Sequence, residues 1–290
     1  MTRRGLLLFI AMCVIWGIPY LFIRVAVAEI SPEVLVFCRA GIAAVILLPF
    51  AFRRGAASRL RRRWLPVLAF AAIEIGIPWL ALSSAEQQIT SSLAGLLISA
   101  VPLVATVIAL VLGTAERTRP VALAGLLVGI VGVGLVVGLD IRAGNWFPIA
   151  QVLLVAVCYA VGPAILSRYL ADQPGVAVMA FALAATAIAY VPLAVLTWPA
   201  AMPSPSALFA VALLALICTA LAFVLFAQLI AEIGPVRSTV ITYVNPAVAA
   251  VLGVVALGEN LTPAMIGGFA LILGGSVLAT RRARPAAAEA

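Results

Sequence analysis

Ten runs of about twenty apolar residues follow one another along the chain, at 5–27, 33–51, 64–83, 91–112, 120–139, 147–168, 175–196, 206–230, 236–257 and 261–280. A bilayer core about 30 Å thick is crossed by roughly 20 helical residues rising 1.5 Å each, so each run is predicted to be a membrane-spanning helix. A transmembrane barrel would need strands of about ten residues alternating polar and apolar, and none of the runs alternates. Arg3 and Arg4 precede the first run as in a secretory signal. That run is too long for one and holds no small-residue cleavage pattern before Arg24, so it reads as retained.

Composition agrees with the pattern. The chain is 66% hydrophobic and 10% charged, with a mean hydropathy of +1.25, far more apolar than a soluble core of 290 residues requires. A net charge of +8 suggests nucleic acid at first sight, but the placement of the 18 cationic residues, all arginine, points elsewhere. Fifteen of them, including the cluster Arg53 to Arg63, fall in gaps on one side of a ten-span arrangement, and only Arg142 lies in a gap on the other. By the positive-inside rule the two termini are cytoplasmic and Glu86, Asp140 and Glu259 face outward. The basic cluster is then a topology signal in contact with anionic lipid head groups, with no nucleic-acid role. Cys13, Cys38, Cys158 and Cys218 lie within runs at spacings that fit no metal site or redox motif, so neither metal nor cofactor is expected.

The chain repeats itself. Glu116, Pro120, Gly125 and Gly132 recur 143 residues later as Glu259, Pro263, Gly268 and Gly275, Pro49 recurs as Pro192, and Pro102 matches Pro246 with one residue inserted. Five spans per half is an odd number, so the halves enter the bilayer upside down relative to each other. Inverted halves that exchange slightly unequal conformations turn a cavity from one face to the other. The expected fold is all-α, ten transmembrane helices as two inverted five-helix repeats around a central cavity, with halves at 1–140 and 145–282 and a disordered cytoplasmic tail at 283–290.

Trp16-Gly17 in the first span, Arg39 early in the second, and a mid-helix proline followed by a loop acid in each half (Pro102 with Glu116, Pro246 with Glu259) carry a resemblance over nearly the whole chain. The sequence resembles the EamA-type branch of the drug/metabolite transporter superfamily. The resemblance implies a carrier, often an exporter of amino acids or related metabolites, with helices 1–4 and 6–9 around the cavity and helices 5 and 10 at the periphery. Glycines independently support that periphery. Gly125, Gly129, Gly134 and Gly138 in the fifth run and Gly267, Gly268, Gly274 and Gly275 in the tenth form small-residue seams for close helix approach, within the monomer in preference to across a weak homodimer.

Candidate cavity residues are Trp16, Tyr20, Glu74, Trp79, Ser99, Tyr159, Tyr243 and Asn245. Glu74 falls near mid-bilayer, where an ionisable group costs about 2.5–3.5 kcal/mol on insertion scales and so avoids lipid. It carries a coupling proton, contacts a substrate ammonium group, or is neutralised by burial or an arginine. The aromatic residues lie inside spans rather than at their ends, so they line an apolar cavity or pack a core. Arg39 sits some six residues into its span, where its stem lets it snorkel outward. Pairing with a loop acid or anchoring the helix end is preferred there to binding a substrate carboxylate. Pro102 and Pro246, paired across the repeats, free helical carbonyls and are candidate hinges.

A lipid-modifying enzyme is the rival from another class, but the chain has no histidine, no phosphate-cradling loop and no nucleophile motif. A channel would advertise repeated selectivity segments or charged rings, and none is visible. The expectation is a secondary carrier of the inner (plasma) membrane exporting amino acids, aromatic or hydrophobic ones included, with purines and quaternary amines as alternative substrates.

Overall fold

The computed structural model describes residues 2–53, 60, 62–112, 120–142 and 146–280. Nine membrane-length apolar helical segments occur among them: Arg3–Ala26, Pro32–Phe52, Trp64–Ala85, Ser91–Val111, Pro120–Gly138, Trp146–Tyr169, Gly175–Leu196, Pro205–Ile233 and Pro263–Thr280. The shorter apolar helix Ile241–Leu257 completes the set of ten and is the ninth span in chain order. Helix starts follow local chemistry. Proline stands in the first helical turn at Pro205, where its missing N–H costs nothing, and the Ser204 hydroxyl accepts from Ala207 N at 3.3 Å. Thr90 caps span 4 by accepting from Leu93 N at 3.2 Å.

Several spans are interrupted. Span 1 divides into Arg3–Ile15 and Pro19–Ala26, because Pro19 has no N–H to give the carbonyl of Ile15. Span 4 divides into Ser91–Ile98 and Val101–Val111, with Pro102 opening the second piece. Spans 3 and 8 stay continuous but each contains one wide π-helical turn, Ala71–Gly76 and Leu216–Leu221. Pro78 follows the first, and in the second the Thr219 hydroxyl donates to Leu214 O at 2.8 Å. The two turns lie 145 residues apart, at matching places in the two halves.

Packing has the symmetry of an inverted repeat. Span 5 pairs with span 10, span 2 with 7 and span 4 with 9, while span 3 packs on 6 as span 1 packs on 8. Exchanging the halves maps the set onto itself, with 5/10, 2/7 and 4/9 each returning to themselves and 3/6 becoming 8/1. The seam between spans 5 and 10 shows the operation at atomic scale, for a Cβ on Gly125 would fall 2.7 Å from Gly275 O and one on Gly132 would fall 2.6 Å from Gly268 O. These spans therefore pack against each other within one chain. Gly134, Gly138, Gly267 and Gly274 have nothing within 4 Å of such an atom and lie off the seam.

Ten crossings put Thr2 and Thr280 on one face. Away from that terminus face, a single apolar core draws side chains from all ten spans, among them Ile23, Leu35, Ala85, Leu97, Val136, Val152, Ala194, Leu214, Ala249 and Ile272. Toward the terminus face the core splits. One cluster joins spans 2, 3 and 7 with Ala220 of span 8 (Leu47, Phe70, Leu183), and a second joins spans 1, 8 and 9 (Met12, Leu229, Ile241), so span 8 contributes to both. Large apolar side chains elsewhere, such as Val45, Leu127, Ile188 and Val255, are exposed on the outer surface of the bundle, where lipid is their solvent.

Candidate functional site

The π-helical turns of spans 3 and 8 place Glu74 and Thr219 at equivalent positions, 145 residues apart. A π turn spoils the i→i−4 ladder and frees carbonyls, which need partners inside a membrane. Span 7 supplies them on span 3, where the Tyr190 hydroxyl donates to Gly76 O at 2.9 Å and Thr186 to Ala71 O at 3.5 Å. Thr219 turns its accepting lone pair toward span 2, and Arg39 Nε donates to it at 2.9 Å. The guanidinium carbon of Arg39 lies 3.7 Å from the centroid of the Trp79 ring, and the residue is only 8% exposed. Arg39 therefore turns inward rather than snorkelling to the surface. Stacking on an indole and one hydrogen bond hold the side chain where a loop acid was expected to draw it out.

Tyr20, buried on span 1, and Tyr159, half-buried on span 6, lie within electrostatic reach of Arg39. Tyr159 also lies beside Trp79 and near Glu74. Glu74 is half-buried against Gly162, where any Cβ would fall 1.8 Å from Glu74 Oε2, and that oxygen has no hydrogen-bond partner. Gly162 stands at the position equivalent to Gly17, which abuts Val248 and the carbonyl of Asn245. Four of the sequence-derived candidates, Tyr20, Glu74, Trp79 and Tyr159, thus gather with Arg39 and Thr219 between the two halves.

The other candidates lie apart from that cluster. Trp16 packs in the span 1/span 8 block, its ring 4.6 Å from Phe226 and 6.0 Å from Phe223. Ser99 donates to Leu96 O in its own helix, at the break in span 4. The Tyr243 hydroxyl is 3.5 Å from Thr280 Oγ1 of span 10. Asn245, oriented by its hydrogen bonds, gives its amide nitrogen to Ile241 O at 2.9 Å and Cys13 O at 3.0 Å. Cys13 O is available because Gly17 N donates to Val14 O instead, so Asn245 staples span 9 to the broken part of span 1. Pro102 stands at a break, whereas Pro246 is enclosed in the unbroken helix Ile241–Leu257. Glu116 lies outside the described residues.

Polar contacts on the far face link the ends of spans 9 and 4, 1 and 3, and 2 and 7. Gly258, at φ +67°, ends span 9, and Glu259 N donates back to Gly253 O at 3.1 Å, a helix-ending turn that aims the Glu259 carboxylate at the start of span 4. There it accepts from Ser91 N at 2.8 Å, Ser91 Oγ at 3.0 Å and Ser92 N at 2.8 Å. Arg24 of span 1 donates to the carbonyl oxygen of Glu86 after span 3, Gln87 Nε2 to Val27 O at 3.4 Å, and Ser31 Oγ to Thr197 O at 3.1 Å. Glu86 is fully buried, and neither carboxyl oxygen has a partner. Among the described residues of the terminus face, Thr2 contacts Glu232, Arg4 contacts Gln228, and Arg63 lies 3.9 Å from Asp172.

Glu29 adds a titrating latch, accepting from Ser204 Oγ at 2.5 Å and Ser204 N at 2.6 Å. These hydrogen bonds hold its carboxyl below the ordinary value of 4.5. The sign follows from that depression: the contribution to stability is present above 4.5 and is lost as pH falls through the lower folded value. Melting temperature should fall on acidification below pH 4.5 by less in Glu29→Gln than in the parent. Parallel curves would remove Glu29 from the acid response.

A model of the EamA-like transporter family matches the chain twice, at residues 3–138 and 146–281. The chain belongs to the EamA-like transporter family. It is a membrane transporter and not an enzyme. Each match takes in five spans, and the two meet at the centre of the inverted repeat. The uncharacterized inner membrane transporter YedA of Escherichia coli (strain K12) is 28% identical over 255 residues, 87% of this chain and 82% of that protein. YedA of Escherichia coli O157:H7 matches to the same extent. A solved crystal structure superposes with a TM-score of 0.67 at 24% identity, over 97% of this chain and 98% of the other, and so shares the fold. Arg39, Thr219, Glu86 and Gly162, which faces Glu74, were not among the sequence candidates for the cavity. The repeat offset of 143 lands two residues short of both, at Ile217 and Ala160, and the 145-residue correspondence of Glu74 with Thr219 emerges only from the paired π-helical turns.

Proposed function

We propose that this EamA family member is a secondary carrier of the inner (plasma) membrane, with cytoplasmic termini, that exports amino acids with hydrophobic or aromatic side chains by alternating access. The observation that carries this reading is the unequal closure of the two faces. One continuous core and a set of hydrogen bonds join the bundle on the far face, while on the terminus face the core divides into two apolar clusters that meet only through span 8. Such a molecule is in its inward-facing arrangement, and exchanging the conformations of its halves opens the other face. The broken span 1 and its unbroken repeat partner, span 6, are the kind of inequality the exchange requires. Residues 1–140 and 145–282 are the two repeats of a monomer, and the parts that move against each other draw on both.

Tyr20, Trp79 and Tyr159 form the aromatic wall of the substrate site, with Trp16 and Tyr243 nearer the cytoplasmic mouth. Pro102 lets span 4 bend at Ser99, and Pro246 with the Asn245 staple does the same between spans 9 and 1. Glu74 carries the coupling proton. Its unpartnered oxygen and half-buried position suit a carboxyl that gains and loses a proton in the transport cycle. Inner-membrane residence is supported by the name of the YedA relative, and the orientation by the arginine asymmetry.

Proteoliposomes loaded with unlabelled L-phenylalanine, L-leucine or L-tryptophan should take up the labelled amino acid faster than empty ones, the trans-stimulation that alternating access alone produces. Equal uptake into loaded and empty vesicles for all three would reject the reading. In Glu74→Gln counterflow should persist, while the response of net transport to an imposed pH gradient should disappear. A retained response would remove the proton from Glu74.

A further inference from the structure

We infer that Arg39, held by Thr219 and Trp79, is the subsite that receives the carboxylate of the transported molecule. The inference rests on the carrier reading above for how the molecule reaches the site, and deepens it by assigning the charge that is recognised. A guanidinium this far from water is ordinarily matched by an acid, because desolvating an unpaired charge is costly. Arg39 forms no ion pair among the described residues. Glu86 lies within its electrostatic reach, yet neither Glu86 carboxyl oxygen has a partner, so the two groups do not pair.

The side chain is fixed at one end only. Nε is committed to Thr219 Oγ1, whose own hydrogen goes to Leu214 O, and the guanidinium plane is supported by Trp79 at 3.7 Å. Among the described residues Nη1 and Nη2 have no protein acceptor, and the side chain keeps 8% of its surface exposed, so the fork is free to meet a ligand. Two parallel N–H groups in a preset fork match the two oxygens of a carboxylate. One fixed positive charge balances a monoanion. A phosphate dianion would ask for a second cation, and none of the other residues gathered around Arg39 is cationic. Tyr20, Tyr159 and Trp79 then flank an apolar or aromatic side chain.

The test is binding to the purified full chain in detergent by isothermal calorimetry, with L-phenylalanine, 3-phenylpropanoate and its neutral amide, 3-phenylpropanamide, as probes. The wild type should bind the two carboxylates at least tenfold more tightly than the amide. Arg39→Gln should erase that difference, and Arg39→Lys, which keeps the charge without the fork, should retain part of it. A purely structural Arg39 would lower the melting temperature of Arg39→Gln and leave the preference in place, which would overturn the inference. Failure of both carboxylates to bind the wild type, or binding equal to that of the amide, would overturn it too. The carrier reading fails separately: carboxylate preference without counterflow sinks alternating access and spares the subsite, and counterflow without the preference does the reverse.

Discussion

Gly275→Leu should yield almost no monodisperse protein, while Gly274→Leu, one residue away, should behave as the parent does. A Cβ on Gly275 would lie 2.5 Å from Gly125 O, 2.5 Å from Gly129 N and 2.8 Å from Gly129 Cα, whereas one on Gly274 meets nothing within 4 Å. The obstructing atoms at Gly275 are backbone, so no rotamer change relieves the clash and spans 5 and 10 must separate along the seam. Overpacking a core costs about 1–3 kcal/mol even where side chains can yield, and a folded domain holds only about 5–15 kcal/mol in total. Reciprocal contacts at Gly132 and Gly268 extend the expectation to those sites. Size-exclusion profiles and melting curves of the Gly274 and Gly275 variants decide the matter, and equal behaviour of the two would mean that the seam is not a close-packed one.

Glu259→Ala should loosen the far face. Its carboxylate serves the N–H groups of Ser91 and Ser92 and the Ser91 hydroxyl, and both serines are fully buried. Each buried donor left without a partner costs about 1–3 kcal/mol. A total of about 3 kcal/mol shifts the balance between far-face-closed and far-face-open forms by roughly a hundredfold, at 1.4 kcal/mol per factor of ten. Alanine at 259 also removes the charge that favours the start of the span 4 helix. Membrane-impermeant maleimide labelling of Ala85→Cys, in a background with the four native cysteines replaced, should be slow in the parent and at least tenfold faster in Glu259→Ala. Unchanged labelling would show that the serine contacts do not hold that face closed. Glu259→Gln, which keeps an acceptor, should fall between the two.

Membrane residence, the number of crossings and the inverted duplication were legible in the sequence because each rests on a one-dimensional pattern. An apolar run either reaches across about 30 Å of hydrocarbon or falls short, and an odd number of crossings per half inverts the second half whatever its side chains do. The glycines of spans 5 and 10 were also legible as a close-packing seam. Which of them face the seam was not, since Gly274 and Gly275 are equivalent in composition and differ only by the rotation of one helix against another.

Side-chain direction is where linear reading stopped. Glu74 was found by depth, because a carboxyl in mid-bilayer is costly wherever it points. Arg39 has the same cost but a longer stem, and whether that stem runs outward to water or inward to Trp79 and Thr219 depends on residues 40 and 180 positions away. Asn245 reads as a polar lining residue until a freed carbonyl on span 1 is seen to take its amide. The sequence by itself determined a ten-span inverted-repeat transporter, since hydrophobic length, charge asymmetry and internal repetition are properties of the chain alone. Only the tertiary structure decided which side chains meet between the halves, because those contacts depend on the separation and rotation of helices far apart in the chain.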